Sequence, residues 1–226
     1  MKRVDIGQVQ GSFSEELLFL LGEELKRPLV SISQLSELGG KDILIHTQAQ
    51  KALNTIDNVL LYKQFSTGQM ALNFEPVHVG SAITEVVAMM TPQMRMSGCW
   101  SEINIQSSLR PADIDRRLLN GALLAMWQAV VQSMETSTKI VCSAQRIPKG
   151  IRLSVMSKGI NLDNLLLSAT NMSSTQPISS VAGPAADLLA ARCMFDLVGS
   201  KLTKSSNKGM SGFGVTLRTS KQIRLV

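Results

Sequence analysis

Reactive side chains are scarce in this sequence of 226 residues. It holds two histidines, His46 and His78, and three cysteines, Cys99, Cys142 and Cys193. An imidazole can take up a proton or a phosphoryl group near neutral pH, and a thiolate can attack or bind metal. The cysteines lie far apart, without the short spacing of a zinc site, and read as reduced core thiols. Each histidine stands alone and reads as a surface or capping residue. Charged groups crowd in Leu-Gly-Glu-Glu-Leu-Lys-Arg-Pro-Leu-Val at 21–30, which places Glu23, Glu24, Lys26, Arg27 and Pro28 together. Gly212-Phe213-Gly214 reads as a strand turn rather than a phosphate loop, because no Lys-Ser/Thr follows it.

Several elements must position these groups. Apolar residues repeat at three- and four-residue steps through 13–38, among them Leu17, Leu21, Leu25, Leu29, Ile32 and Leu35, which predicts a helix. Ser12 or Ser14 can cap it, and Pro28 should kink it by removing a backbone donor. Gly39-Gly40 breaks the run, and 42–67 reads as a second helix with Ala52, Leu53, Ile56, Val59 and Leu60 on its apolar side. A hairpin of two such helices cannot bury a wide apolar stripe alone. Two hairpins related by a two-fold axis would close a four-helix bundle, which predicts a homodimer. Phe74-Glu75-Pro76-Val77 reads as a linker. Beyond it the pattern predicts helices at 80–94, 115–134 and 185–197. Strands are predicted at 102–106, 139–145 and 151–155, with a closing hairpin of 201–205 and 212–219 around Asn207-Lys208-Gly209. Residues 161–185, rich in Ser, Asn and Thr, read as a mobile segment. Mixed helices and antiparallel strands predict an α/β sandwich.

Apolar residues make up 44% of the chain and charged residues 18%, which are globular values. Aromatics are only 4%, so the core must rest on aliphatic residues and methionine. Met89, Met90, Met94, Met96 and Met126 read as core filler, and Trp100 and Trp127 as core or edge packing. No apolar run reaches the length of a bilayer span, and the first residues lack a secretory pattern, so a cytoplasmic protein without membrane contact is expected. Charge is uneven. Residues 1–75 carry 7 basic and 9 acidic side chains, whereas 76–226 carry 16 and 8. Lys201, Lys204, Lys208, Arg218, Lys221 and Arg224 follow one another at the end without an acid. Such a face can attract nucleic acid, nucleotide or an acidic partner, or be simply a solvated surface.

The 21–30 stretch resembles the phosphoacceptor helix of sensor histidine kinases, whose pattern is His-Glu-Leu-Arg-Thr-Pro-Leu. Glu24, Leu25, Pro28 and Leu29 match, Lys26 is a basic substitute, and Glu23 holds the place of the histidine. The resemblance extends over nearly the whole chain from about residue 13. Phe65 to Val77 is similar to the end of the family's dimerisation hairpin and its exit linker. Asp115 to Val130 resembles the helix carrying the asparagine box, and Phe195 to Leu202 with Gly209 to Leu217 resembles the final helix, glycine turn and last strands.

The resemblance implies a fold of α+β class: an N-terminal helical hairpin over 1–72 forming a dimeric four-helix bundle, then an ATPase-type α/β sandwich over 73–226. It also marks departures at positions that carry chemistry in active members. The magnesium-binding asparagine becomes Gln128. The adenine-reading Asp becomes Val155, a loss of roughly 1–3 kcal/mol for an unpaired amino group, while Gly159 survives and Ser157 replaces a glycine. The phosphate-facing glycines align with Gly183, Ala185 and Asp187, the last adding a negative charge. Arg27 stands where the family's phosphatase residue orients a water, while the acid beside the histidine persists as Glu24. Glu23 is either a plain helix residue or a mimic of phosphohistidine. A replacement phosphoacceptor at His46 or His78 is a minor alternative.

The resulting expectation is a catalytically inactive, histidine-kinase-like signalling protein that uses no cofactor and no metal. It would bind a response-regulator receiver domain, or a kinase by mixed dimerisation, around Glu23, Glu24, Lys26, Arg27 and Pro28. A histidine phosphotransferase, a residual ATP-binding kinase and a nucleic-acid-binding regulator are the alternatives.

Overall fold

A computed structural model describes residues 28–32, 34–35, 42–134, 137–160 and 184–220. Residues 28–32 and 34–35 are helical, with Pro28 buried and Leu29 and Val30 exposed. The expected break at Gly39-Gly40 and the expected mobile segment lie outside the described residues, apart from Pro184 and Ala185, which begin a helix. Helix α1 (Asp42–Ser66) is 25 residues long, roughly 37 Å at the usual rise. It buries Ala52, Thr55, Asn58, Val59 and Phe65 at helical spacing and leaves Leu53 and Leu60 on the outside.

The expected linker contains a strand. β1 (Glu75–Val77) pairs antiparallel with β3 (Ala112–Ile114), Glu75 opposite Ile114 and Val77 opposite Ala112. Between them run helix α2 (Val79–Met96) and strand β2 (Trp100–Ile105). Val79, Ile83, Val86, Met90 and Met94 form the buried stripe of α2. Met89 and Met96 are exposed, so two of the five methionines assigned to the core stand outside it.

Helix α3 (Arg116–Gln132) is the centre of the molecule, with Leu119, Ala122, Leu123, Ala125, Met126, Trp127, Ala129 and Val130 wholly buried. Its start is fixed by Asp115, whose carboxylate accepts from the Arg117 backbone N–H at 3.0 Å. The same carboxylate accepts from the Asn73 N–H at 3.0 Å and from Arg117 Nη2 at 2.7 Å. Burial alone would push this acid up. The hydrogen bonds from Arg117 and the two backbone donors, together with the guanidinium charge, outweigh that and hold it below the usual carboxylate range. One cap thereby ties the chain leaving α1 to the central helix.

The remaining elements are β4 (Lys139–Ile147), β5 (Gly150–Ser157), helix α4 (Pro184–Leu197), β6 (Thr203–Asn207) and β7 (Met210–Leu217). The main sheet has the order β2-β4-β5-β7-β6; β2 and β4 are parallel and the other neighbours antiparallel. Side chains alternate across it as the pleat requires. Ile140, Cys142, Ala144, Leu153, Val155, Phe213 and Val215 face the helices and are buried. On the other face the hydroxyls of Ser143 and Ser154 meet at 2.8 Å. Arg152 lies across Gly214, where a Cβ would stand 2.8 Å from the guanidinium, and donates to Thr203 Oγ1 at 2.9 Å. The closing hairpin turns at Lys208 (φ 47°) and Gly209 (φ 75°), a left-handed pair that suits the strand twist.

Candidate functional site

The positions singled out in the second half of the sequence converge on the seam between β5, α3 and α4. Val155 lies in β5 between Cys142 on β4 and Phe213 on β7, with no exposed surface. Gly159 follows the strand at φ 82°, with open space around the position of a Cβ. Gln128 is on α3 and is wholly buried. Neither its amide nitrogen nor its oxygen has a hydrogen-bond partner. Asp187 is in the first turn of α4, where the helix dipole favours an acid. It is 5% exposed and accepts from Gln132 Nε2 at 2.6 Å. Gln132 stands one helical turn beyond Gln128, so that spacing alone marks it as a neighbour of the same seam. Gly183, Glu23, Glu24, Lys26 and Arg27 lie outside the described residues.

Helix α1 meets this assembly from the side. A Cβ on Gly121 would stand 3.2 Å from both Asn58 Oδ1 and Leu61 Cδ2, so the glycine permits close approach of α1 to α3. Tyr62 packs against Ala186, Leu189 and Cys193 of α4. Burial first, then Cys193 and Asp196, pushes the Tyr62 phenol up to about 12. Burial, with Asp196 adding to it, pushes the Cys193 thiol up to about 12. Phe65 carries the Arg117 guanidinium 5.1 Å from its ring centre. All three cysteines are free and buried, and burial alone pushes Cys142 up to about 12. No group of His, Cys, Asp and Glu among the described residues could hold a metal ion. No helix among them is long and apolar enough to cross a membrane.

No family model and no characterised protein sequence matches the chain. Solved structures do. The chain resembles the Acinetobacter baumannii histidine kinase AdeS with a TM-score of 0.60 and 15% identity, over 88% of this chain and 98% of that one. It resembles histidine kinase ThkA, solved in complex with the response regulator protein TrrA, with a TM-score of 0.56 and 15% identity over 97% of this chain and 68% of that one. A bacterial phosphotransferase matches with a TM-score of 0.52 and 13% identity over 95% and 98%. The chain thus has the fold of histidine kinases, with the mixed sheet and helices of their ATPase-type part.

These matches correct one expectation. The chain was expected not to be an enzyme, whereas the proteins it resembles are histidine kinases and a phosphotransferase, which are enzymes. Nothing at Gln128, Val155 or Asp187 demonstrates inactivity. Those residues do bear on the nucleotide and magnesium that the fold implies. Val155 offers no acceptor, Gln128 is enclosed with an unpaired amide, and Asp187 brings a carboxylate already engaged by Gln132. They do not match the ligands by which the resemblance would have magnesium-ATP held.

Proposed function

We propose that this chain acts in two-component signalling by engaging a response-regulator receiver domain through an N-terminal helical hairpin within residues 1–72. In this reading two hairpins pair into a four-helix bundle, and residues 73–226 are the ATPase-type sandwich that the bundle carries. The observation that carries the reading is the outer face of α1. Leu53 and Leu60, seven residues apart on one side of the helix, are 52% and 49% exposed. Apolar residues in such register form a seam for another helix. Leu29 and Val30 in the preceding helical stretch are also exposed, at 58% and 46%. The solved ThkA–TrrA complex supports a receiver as the partner. Glu23, Glu24, Lys26 and Arg27 are the proposed contact residues; Pro28, expected among them, is buried and is left out.

Two measurements test this. Light scattering is expected to give a dimer, and Leu53→Asp with Leu60→Asp a monomer. Titration against a panel of receiver domains is expected to find a binder whose affinity falls when Lys26 and Arg27 are both reversed to Glu. Equal binding of the reversed protein to every receiver sinks the proposal.

The likeness to a bacterial phosphotransferase over nearly the full length of both chains favours a second reading, phosphoryl transfer through a histidine. Only an imidazole can serve as such an acceptor here, and His46 lies on α1. Transfer to or from a phosphorylated receiver that disappears in His46→Ala, or in His78→Ala, supports this reading and assigns the acceptor, and a parent protein that shows no transfer, or transfer that survives both changes, refutes it.

A further inference from the structure

At the opposite end of β5 from Val155, roughly 17 Å along the strand, the β4–β5 turn borders a cavity of about 500 Å³. Its lining is Gln106, Arg110, Arg146, Ile147, Pro148, Gly150 and Thr219. Two arginines thus share one concavity, and no acidic residue among the described residues lines it. The four ion pairs among the described residues use other cations: Arg116, Arg117, Lys139 and Arg192. Lys149 stands in the turn between the lining residues Pro148 and Gly150. Gln106 is oriented by the backbone, because its Oε1 accepts from the Arg146 N–H at 2.8 Å. The part it can still offer is its NH₂ group. The polar side chains of the cavity therefore present donors: two guanidiniums, one amide NH₂ and the Thr219 hydroxyl. Ile147 and Pro148 supply an apolar wall.

We propose that this cavity binds a small polyanion, a molecule bearing phosphate or several carboxylates, at a site separate from the β5–α3–α4 seam. Three observations point the same way. Like charges held in one concavity repel until an anion joins them. The planar fork of arginine matches the oxygens of phosphate and carboxylate in pairs. The volume is that of a small-molecule site, and the concave shape suits a compact ligand better than a nucleic-acid backbone, which needs an extended basic track.

The test uses the full chain and two probes, inorganic pyrophosphate and citrate, with heat of binding and melting temperature as readouts. Either probe at millimolar concentration is expected to release or absorb heat and to raise the melting temperature. The tighter probe identifies the source as phosphate or carboxylate. Arg110→Gln and Arg146→Gln are each expected to weaken binding by about tenfold, as for loss of one charge-assisted contact, and together to abolish it. Both residues are exposed, so the ligand-free melting temperature should stay near that of the parent protein. Arg95→Gln, the same charge change at the exposed end of α2, should leave binding intact. The proposal is overturned if neither probe binds, if Arg95→Gln weakens binding as much as the cavity variants, or if a short single-stranded oligonucleotide binds more tightly than both probes.

Discussion

The two ends of β5 are built from opposite materials. Around Val155 the strand is enclosed by Cys142, Phe213 and α3, and the polar groups at that end are buried, as Asp187 and Gln128 are. Around Gly150 the same strand opens onto a basic cavity with Arg110 and Arg146 in water. The fold resembles that of histidine kinases at both ends, yet the side chains assign different work to them. A scaffold sets where a strand ends; the residues placed there decide what that end can bind.

The contrast can be broken most sharply at Trp127, which stands beside Gln128 on α3 and is wholly buried. Trp127→Ala should cost about 3–5 kcal/mol in denaturant unfolding, and a loss under about 1 kcal/mol would mean that this end is loosely packed. Next comes Asp115, at the start of α3, a few residues after Arg110. Asp115→Ala removes the cap and the tie to Asn73, and should cost about 2 kcal/mol. Because the folded acid titrates below its unfolded value, its contribution is present above the ordinary carboxylate range and fades as pH falls through the lower, folded value. The Asp115→Ala protein should therefore differ less from its parent in strong acid than at neutral pH.

Gln128→Met should have the reverse sign. Replacing an enclosed amide that has no partner by an apolar chain of similar shape should raise stability by about 1 kcal/mol. A fall instead would show that the amide holds a bound molecule. The smallest effect concerns alkaline pH. Burial raises Cys142 from 9.0 to about 12, and Cys193 is raised likewise. The unfolded chain releases these protons first, so stability should be intact below pH 9.0 and decline as pH rises towards 12. Both thiols should resist alkylation in the native protein at neutral pH.

Much of this fold could be read in advance because its signals are local. Apolar spacing marked α2, α3 and α4, and Asn207-Lys208-Gly209 marked the closing turn. What escaped was made by contacts distant in sequence. β1 and β3 are three residues each, too short for any alternation to register, and they exist because Glu75 and Ile114 meet across the intervening helix. The clasp of Gln132 on Asp187 joins two elements through a hydrogen bond that neither residue type announces. The basic cavity gathers Gln106 and Arg110 from the connection between β2 and β3, Arg146 from the end of β4 and Thr219 from beyond β7. Charge counting found a basic second half but could not locate the place where two arginines share a wall.

The sheet order carries a consequence for how the protein is made. β7 is the last strand in sequence among the described residues, yet it sits inside the sheet between β5 and β6. As the polypeptide leaves the ribosome, β4 and β5 can pair at once. One whole side of β5 then stays an open edge until residues 203–217 emerge. A nascent chain stalled before that point would present Leu153, Val155 and the unpaired backbone of β5 to its surroundings. Such a fragment should need a chaperone to stay soluble, and synthesis, more than the finished molecule, is where this protein is most exposed to aggregation.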